Sequence, residues 1–574
     1  MSTPAAHLLA PVLARGAAGH ASADDVALRR WTRGARRGAR VRQEVTYGEL
    51  ARHITATATA LAADGLGAGD RALFSVRPRP QGVVLALGAV RAGATVVFVD
   101  PGSTPELFAA RVAAARPTLA MTESLLYAVS RGPLRRLARS RGILLPDYAT
   151  LSVRHVHAGP WLPGVPRRSR AAASLARTAP DVDALPGLDP EREALVVFTS
   201  GTTAQPRAVV HGAGSLLAGC DLLREVFDLA PGDVVHTDQM LLGMPALLAG
   251  ATWSVPAEPP SRDVVTFGRC LAGAAGTYLV PADVTVLLDA VEDGRLPARG
   301  PRVALVGGAP VTRALLERAT RVLPGTRWVG VYGMTEILPV AVVEAADKLA
   351  FDGDGDLVGR PLPGVEAHLV PVDGTLDDGV GELVLGGPSL MAGYLHDLDG
   401  SGRDGSRRAT EHRTGDLARF EPDGRTVLVG RTRDMIIRGT TNIYPGLFEP
   451  RIAAIEGVGE AVLVGVLQDD GDELVALVVT SRADSPTGSQ PGTGGPPAVD
   501  LDPLHPLVAR VRAVLPEVVD HDALPDVVLH GTHVPLTGRS RKPDRHALAC
   551  AAARWCRAPH APGAPGPSRP SGPT

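Results

Sequence analysis

Between residues 46 and 100 the chain alternates segments of helical spacing with short apolar runs: TYGELARHITATATALAADG, DRALFSV, GVVLALGAVRAG and ATVVFVD. In the first and third pieces apolar residues recur with a helical period, and in the second and fourth they run together. A run that is apolar on both faces is what a buried parallel strand shows, and a helix between two such runs is the crossover that joins them. The pattern predicts an α/β chain built of sheets packed with helices. It returns at residues 193–198 (EALVVF), 302–307 (RVALVG) and 328–333 (WVGVYG), which run into turns rich in Gly, Ser or Thr. Loops at the carboxyl ends of such strands are where these sheets place ligands.

A length of 574 residues predicts more than one domain. The larger pattern ends around residues 431–437, and a smaller unit follows with strands near 461–467 (AVLVGVL) and 473–479 (ELVALVV). The expected division is an N-terminal domain over 20–430, a small C-terminal domain over 431–556 and a disordered tail over 557–574. Residues 397–408 and 483–497 share the Gly, Ser, Pro and charged composition of flexible loops. The Arg- and Pro-rich stretch 131–177 has little clean periodicity, and its basic clusters read as a solvated elaboration rather than a nucleic-acid patch. Lys and Arg (59) balance Asp and Glu (61), so no basic field points to nucleic acid. No unbroken apolar run reaches the ~18 residues that span a bilayer, and the start lacks the pattern of a signal peptide. Cys220, Cys270, Cys550 and Cys556 follow no zinc spacing and are few for a disulfide scaffold. A cytoplasmic protein without a membrane span is expected.

Four segments carry chemistry. Residues 196–207 (VVFTSGTTAQPR) run from a strand into a loop of hydroxyls and flexible backbone that can turn donors toward a phosphate chain, although they lack the Walker pattern. A polar turn is the alternative. Residues 331–336 (VYGMTE) close a strand with a ring able to stack on a purine and a carboxylate able to hold Mg²⁺; the alternative is a strand end with a capping Glu. Residues 414–416 (TGD) precede 430–445 (GRTRDMIIRGTTNIYP). An Asp can accept from two ribose hydroxyls and an Arg can donate to ribose or phosphate, though each is also an ordinary surface charge. Residues 535–545 (PLTGRSRKPDR) form a basic loop, either solvated or supplying a lysine that neutralises charge developing on a carboxylate and an α-phosphate.

In order and spacing these segments resemble the core motifs of the adenylate-forming superfamily of acyl-CoA synthetases, adenylation domains and luciferases, over roughly residues 40–550. Residues 307–310 (GGAP) are similar to its adenine-pocket segment, and 381–383 (GEL) through Gly393 and Tyr394 to the segment before the Asp. The resemblance implies a large N-terminal domain of sheets packed with helices and a small mobile α+β C-terminal domain, which rotates between two half-reactions about a hinge at Asp434. It implies ATP and Mg²⁺, with Thr199, Ser200, Gly201, Thr202 and Thr203 around the triphosphate and Glu336 on the metal. Gly308, Ala309, Pro310, Tyr332, Gly333 and Thr335 would line the nucleotide pocket, with Tyr332 flanking adenine. Asp416 would hold the ribose with help from Arg431. Lys542, Thr203 and Glu336 would be catalytic, and Arg438 and Gly439 would serve the thiol half-reaction. The implied activity is conversion of a small-molecule carboxylic acid to an acyl-adenylate with release of pyrophosphate. Transfer to a thiol follows, either CoA or the phosphopantetheine of an acyl carrier protein, by a monomer or homodimer.

The chain departs from the family pattern at Ala204, where Gly is usual, and at Arg207, where Lys is commoner. Lys542 lies one residue further from Pro535 than usual, with Arg539 and Arg541 as rival cations; the Pro-Asp-Arg that follows points to Lys542. Residues 234–256 contain His236 and the apolar run 240–250 (MLLGMPALLAG), which is either an acyl lining or a buried helix. The run 240–250 itself holds no acidic anchor for an amino group, so a fatty or other apolar acid is expected. Residues 99–102 (VDPG) and 332–340 (YGMTEILPV) resemble the olefin β-lactone synthetase branch, which adenylates a β-hydroxy acid and closes a lactone without CoA. Residues 438–445 (RGTTNIYP) instead resemble the thiol-transfer segment of CoA ligases. A degenerate paralogue that binds nucleotide or acyl group without turnover is the reading from another class. Residues 385–389 (LGGPS) are superficially similar to a carrier-protein attachment site, but they sit inside the segment that matches the adenylation fold and are read as a false match.

Overall fold

The structure, a computed structural model, describes residues 6–33, 39–100, 105–131, 145–199, 207–372, 379–399, 409–431, 434, 436–438, 441–443, 445–467, 473–482, 499–519, 523–537 and 542–557. The chain divides into two compact units: Met1–Leu349 with Pro361–Glu366 and Leu385–His412, and Ala350–Arg360 with Ala367–Val384 and Arg413–Thr574.

The four pieces read from residues 46–100 are helix Tyr47–Ala63, strand Arg71–Ser75, helix Pro80–Arg91 and strand Thr95–Phe98. The first helix starts at Thr46, whose hydroxyl accepts from the Glu49 amide while the Glu49 carboxylate accepts from the Thr46 amide. This reciprocal cap satisfies two amides that the first turn leaves without partners. Leu50, Ile54, Ala58 and Leu61 form its buried stripe. Helix Pro80–Arg91 approaches it closely, because a Cβ on Gly88 would lie 2.6 Å from Thr57 Cγ2.

These elements belong to an eight-stranded sheet ordered 393–394, 208–212, 193–198, 95–98, 71–75, 119–123, 154–158, 170–171. Leu73 pairs with Val97 and Val97 with Val196 in parallel register, and all three are buried. The other sheet of this unit runs 337–344, 327–334, 303–307, 276–279, 234–236, 252–255, 26–33, 39–46.

The stretch 131–177 is not only a solvated elaboration: Arg154–Ala158 pairs in parallel with Leu119–Glu123, and Arg170–Ala171 pairs beside it. Near a sheet edge a strand tolerates the Arg and two His residues that obscured its pattern. The apolar run 240–250 contains helix Met244–Ala249, every residue of which is buried, so the run contributes core.

In the second unit the strands run 366–370, 381–386, 411–420, 426–431, 356–361, and a separate four-stranded sheet runs 458–467, 473–481, 527–531, 501–502. Along Glu473–Ser481 the side chains alternate between two cores. Val475, Leu477 and Val479 meet Val508, Val511 and Leu515 of helix Pro506–Val518, while Ala476 and Val478 meet Leu548 and Ala552 of helix Arg545–Arg557. Burial on both faces is why ELVALVV is apolar without alternation. Of the segments expected to be flexible, 400–408, 483–497 and 558–574 lie outside the described residues, whereas 397–398 and 557 belong to helices Leu395–Leu398 and Arg545–Arg557. Among the described residues no helix is long and apolar enough to cross a membrane.

Candidate functional site

Strands Arg327–Met334 and Ile337–Glu344 form an antiparallel hairpin in which Val331 pairs with Val342 and Met334 with Ile337. Thr335 and Glu336 are left as its two-residue turn. Three hydrogen bonds fasten that turn. His211 Nε2 donates to the Thr335 carbonyl at 2.7 Å, the Met391 amide donates to the Glu336 carbonyl at 2.8 Å, and Tyr394 Oη donates to Glu336 Oε1 at 2.9 Å. A carbonyl accepts only, so His211 carries a proton on Nε2, and burial lowers its pKa. Glu336 is 9% exposed. Burial first, and then the charge of Glu336, push the Tyr394 phenol up to about 12. Tyr394 belongs to a two-residue strand, Gly393–Tyr394, paired with Ala208–Gly212 so that Tyr394 faces Val209. The Arg207 guanidinium carbon sits 5.7 Å from the Tyr394 ring centroid.

The same unit places other predicted residues at the carboxyl ends of strands in its two sheets. Gly307, the last residue of strand Val303–Gly307, pairs with Val331; a Cβ there would lie 2.6 Å from Tyr278 Oη and 2.7 Å from the Val331 carbonyl. Gly308 turns the chain with φ +79, a conformation side-chain-bearing residues rarely adopt. Ala309 and Pro310 follow it directly, and Tyr332, Gly333 and Thr335 follow Val331. Strand Glu193–Phe198 leads into Thr199, whose amide donates to the Arg207 carbonyl at 3.0 Å, and Phe198 pairs with Ala208. The base of the hydroxyl-rich loop is thereby closed. Ser200, Gly201, Thr202, Thr203 and Ala204 lie outside the described residues.

In the second unit Asp416 and Arg431 pair across strands Glu411–Phe420 and Thr426–Arg431, with Arg431 Nε 2.8 Å from Asp416 Oδ1. The turn before the Asp is shaped by its neighbours. The Thr414 hydroxyl accepts from the Asp416 amide at 3.0 Å and donates to the Leu383 carbonyl at 2.8 Å, and Glu382 accepts from the Gly415 amide at 3.1 Å. Arg438 donates to the Leu524 carbonyl at 2.7 Å and lies 3.3 Å from Asp526. Asp434 stands 3.4 Å from Arg545, which makes two short bonds to Glu449. Lys542 begins a two-residue strand, Lys542–Pro543, paired to Leu536–Thr537, and residues 538–541, with Arg539 and Arg541, lie outside the described residues, as does Gly439.

His211 and Met391 were not singled out from sequence, and Tyr394 was noted only as part of a segment. A histidine within the otherwise apolar strand AVVHG was the available signal for the first. His236 is fully buried, with Nδ1 2.9 Å from Ser254 Oγ and its ring against Phe267. Ser389 is 2% exposed, so residues 385–389 do not offer an accessible hydroxyl.

Among the described residues no group of three or more His, Cys, Asp or Glu side chains is gathered to hold a metal ion. A single buried carboxylate with one oxygen already bonded fits Mg²⁺, which takes one or two protein carboxylates and completes its shell with phosphate oxygens and water.

A family model described as AMP-binding enzyme matches residues 17–395. An olefin beta-lactone synthetase of Xanthomonas campestris pv. campestris is 31% identical over 461 residues, covering 74% of this chain and 78% of that protein. The acyl-CoA ligase sidI of Beauveria bassiana is 27% identical over 456 residues, covering 75% and 76%. Among solved structures, the amide bond synthetase McbA from Marinactinospora thermotolerans superposes with a TM-score of 0.71 at 23% identity, covering 95% of this chain and 98% of that one.

Proposed function

We propose, from the premise that this chain belongs to the AMP-binding enzyme family of the adenylate-forming superfamily, that it activates a fatty or other apolar carboxylic acid with ATP and passes the acyl group to a thiol. The observation that carries this reading is the Glu336 turn: a buried carboxylate on a fastened hairpin, beside the closed base of a hydroxyl-rich loop. In the first step an oxygen of the acid attacks the α-phosphorus, the bond to the β-phosphate breaks, and pyrophosphate leaves. Thr199, Ser200, Gly201, Thr202 and Thr203 orient the triphosphate, and Lys542 offsets charge on the acid and α-phosphate. Gly308, Ala309, Pro310, Tyr332, Gly333 and Thr335 take the base side of the nucleotide, and Asp416 with Arg431 the ribose. Glu336 would hold Mg²⁺, which when bound neutralises triphosphate charge.

Residues 431–556 are assigned to the small domain, with Asp434 as hinge and Arg438 and Gly439 on the thiol side. CoA and carrier-protein phosphopantetheine are the acceptors proposed. A second reading, lactone closure of a β-hydroxy acid without thiol, is favoured by the 31% identity to a β-lactone synthetase. Product analysis with a β-hydroxy fatty acid and ATP, with and without CoA, separates them. A thioester formed only with CoA supports the first reading, and a β-lactone in its absence supports the second.

A further inference from the structure

We infer that Tyr394 is a positioning residue for the Glu336 carboxylate and that Arg207 holds Tyr394 in place, an inference that rests on the reading of Glu336 as the metal–nucleotide carboxylate. Three observations combine. Tyr394 Oη lies 2.9 Å from Glu336 Oε1, so one carboxylate oxygen is tied and the side chain's rotation is restricted. The donor is a neutral phenol, so the charge that would draw a cation is held in place without being cancelled, as it would be by a guanidinium. The phenol itself is set by backbone pairing: Tyr394 faces Val209, and Arg207, two residues earlier, is its diagonal neighbour with the guanidinium carbon 5.7 Å from the ring centroid. The line Arg207, Tyr394, Glu336 joins the end of the hydroxyl-rich loop to the carboxylate turn, although Tyr394 and Glu336 stand 58 residues apart in the chain.

The test is Mn²⁺ titration, followed by electron paramagnetic resonance, of the full chain with a non-hydrolysable α,β-methylene ATP, beside acid and ATP kinetics and thermal melting. Tyr394→Phe keeps the ring and removes the donor. The inference predicts Mn²⁺ affinity about tenfold weaker, from the loss of one hydrogen bond to a charged group. It also predicts a lower kcat, an unchanged KM for the acid, and no further loss when Tyr394→Phe is added to Glu336→Gln. Arg207→Met, which leaves the phenol in place, should weaken Mn²⁺ about threefold, the scale of an exposed cation–π contact, and serves as the reading if Tyr394→Phe melts early. Wild-type affinity in Tyr394→Phe overturns the positioning role and leaves the function standing. An equal loss in the Glu336→Gln background also overturns it, because Tyr394 would then act on structure in general. A wild-type chain that adds nothing to the Mn²⁺ affinity of the nucleotide alone overturns the reading of Glu336 and the positioning role with it.

Discussion

Glu336 and Asp416 are both buried carboxylates, one in a hairpin turn and the other within strand Glu411–Phe420, 9% and 3% exposed, yet their partners differ in kind. Glu336 accepts from a phenol, while Asp416 is paired with a guanidinium at 2.8 Å. A carboxylate held by a neutral donor retains its full charge and suits a cation. One compensated by Arg431 forms a nearly neutral acceptor and donor pair, which suits hydroxyls such as those of a ribose. Two acidic residues that look alike in the sequence are thereby fitted to different work, and substitutions can separate them.

The largest effects should fall on charge placed along the reaction path. Lys542→Ala and Glu336→Gln are each expected to lower the rate of adenylation by about 10²–10³-fold, the scale seen when one preorganised electrostatic contact is lost. Thermal melting should stay near wild type for Lys542→Ala, and an unchanged rate would remove that lysine from its role. Raised Mg²⁺ should recover part of the activity of Glu336→Gln but none of that of Asp416→Asn. The latter is expected to raise the KM for ATP about tenfold, as loss of a charged hydrogen bond does. If excess Mg²⁺ rescues both variants equally, the two carboxylates do not differ as described.

The alternation over residues 46–100 was legible because each helix and strand there is dictated by local spacing and buried as its pattern implies. The apolar run 240–250 was ambiguous, since an acyl lining and a buried helix call for the same residues, and its centre, Met244–Ala249, is a buried helix. Strand Arg154–Ala158 was hidden by its polar side chains. At the site, residue types that carry chemistry could be read from Glu336, Asp416 and Arg431. The bonds that hold Glu336 could not, because His211 reaches Thr335 across 124 residues and Tyr394 reaches Glu336 across 58. No local pattern encodes such a pairing.

A smaller effect sharpens the contrast between residues that serve chemistry and those that serve the core. Burial lowers the pKa of His236 from 6.5 to about 3. Between those values an unfolded chain binds a proton that the folded chain does not, so the stability present above pH 6.5 falls as the pH drops toward 3. The contribution of one such proton is about 1.4 kcal/mol per pH unit. His236→Phe should make the acid limb of a stability–pH curve shallower by that one proton, while leaving the KM for ATP unchanged. A changed KM would bring His236 into the site.

The most direct measurement is ATP–pyrophosphate exchange with purified full-length chain across medium and long fatty acids, β-hydroxy acids, aryl acids and amino acids. Acid-dependent exchange with fatty or β-hydroxy fatty acids, lost in Lys542→Ala, is the predicted result. Absence of exchange with every acid, from a folded protein that binds ATP, would contradict the assignment of acyl-adenylate formation.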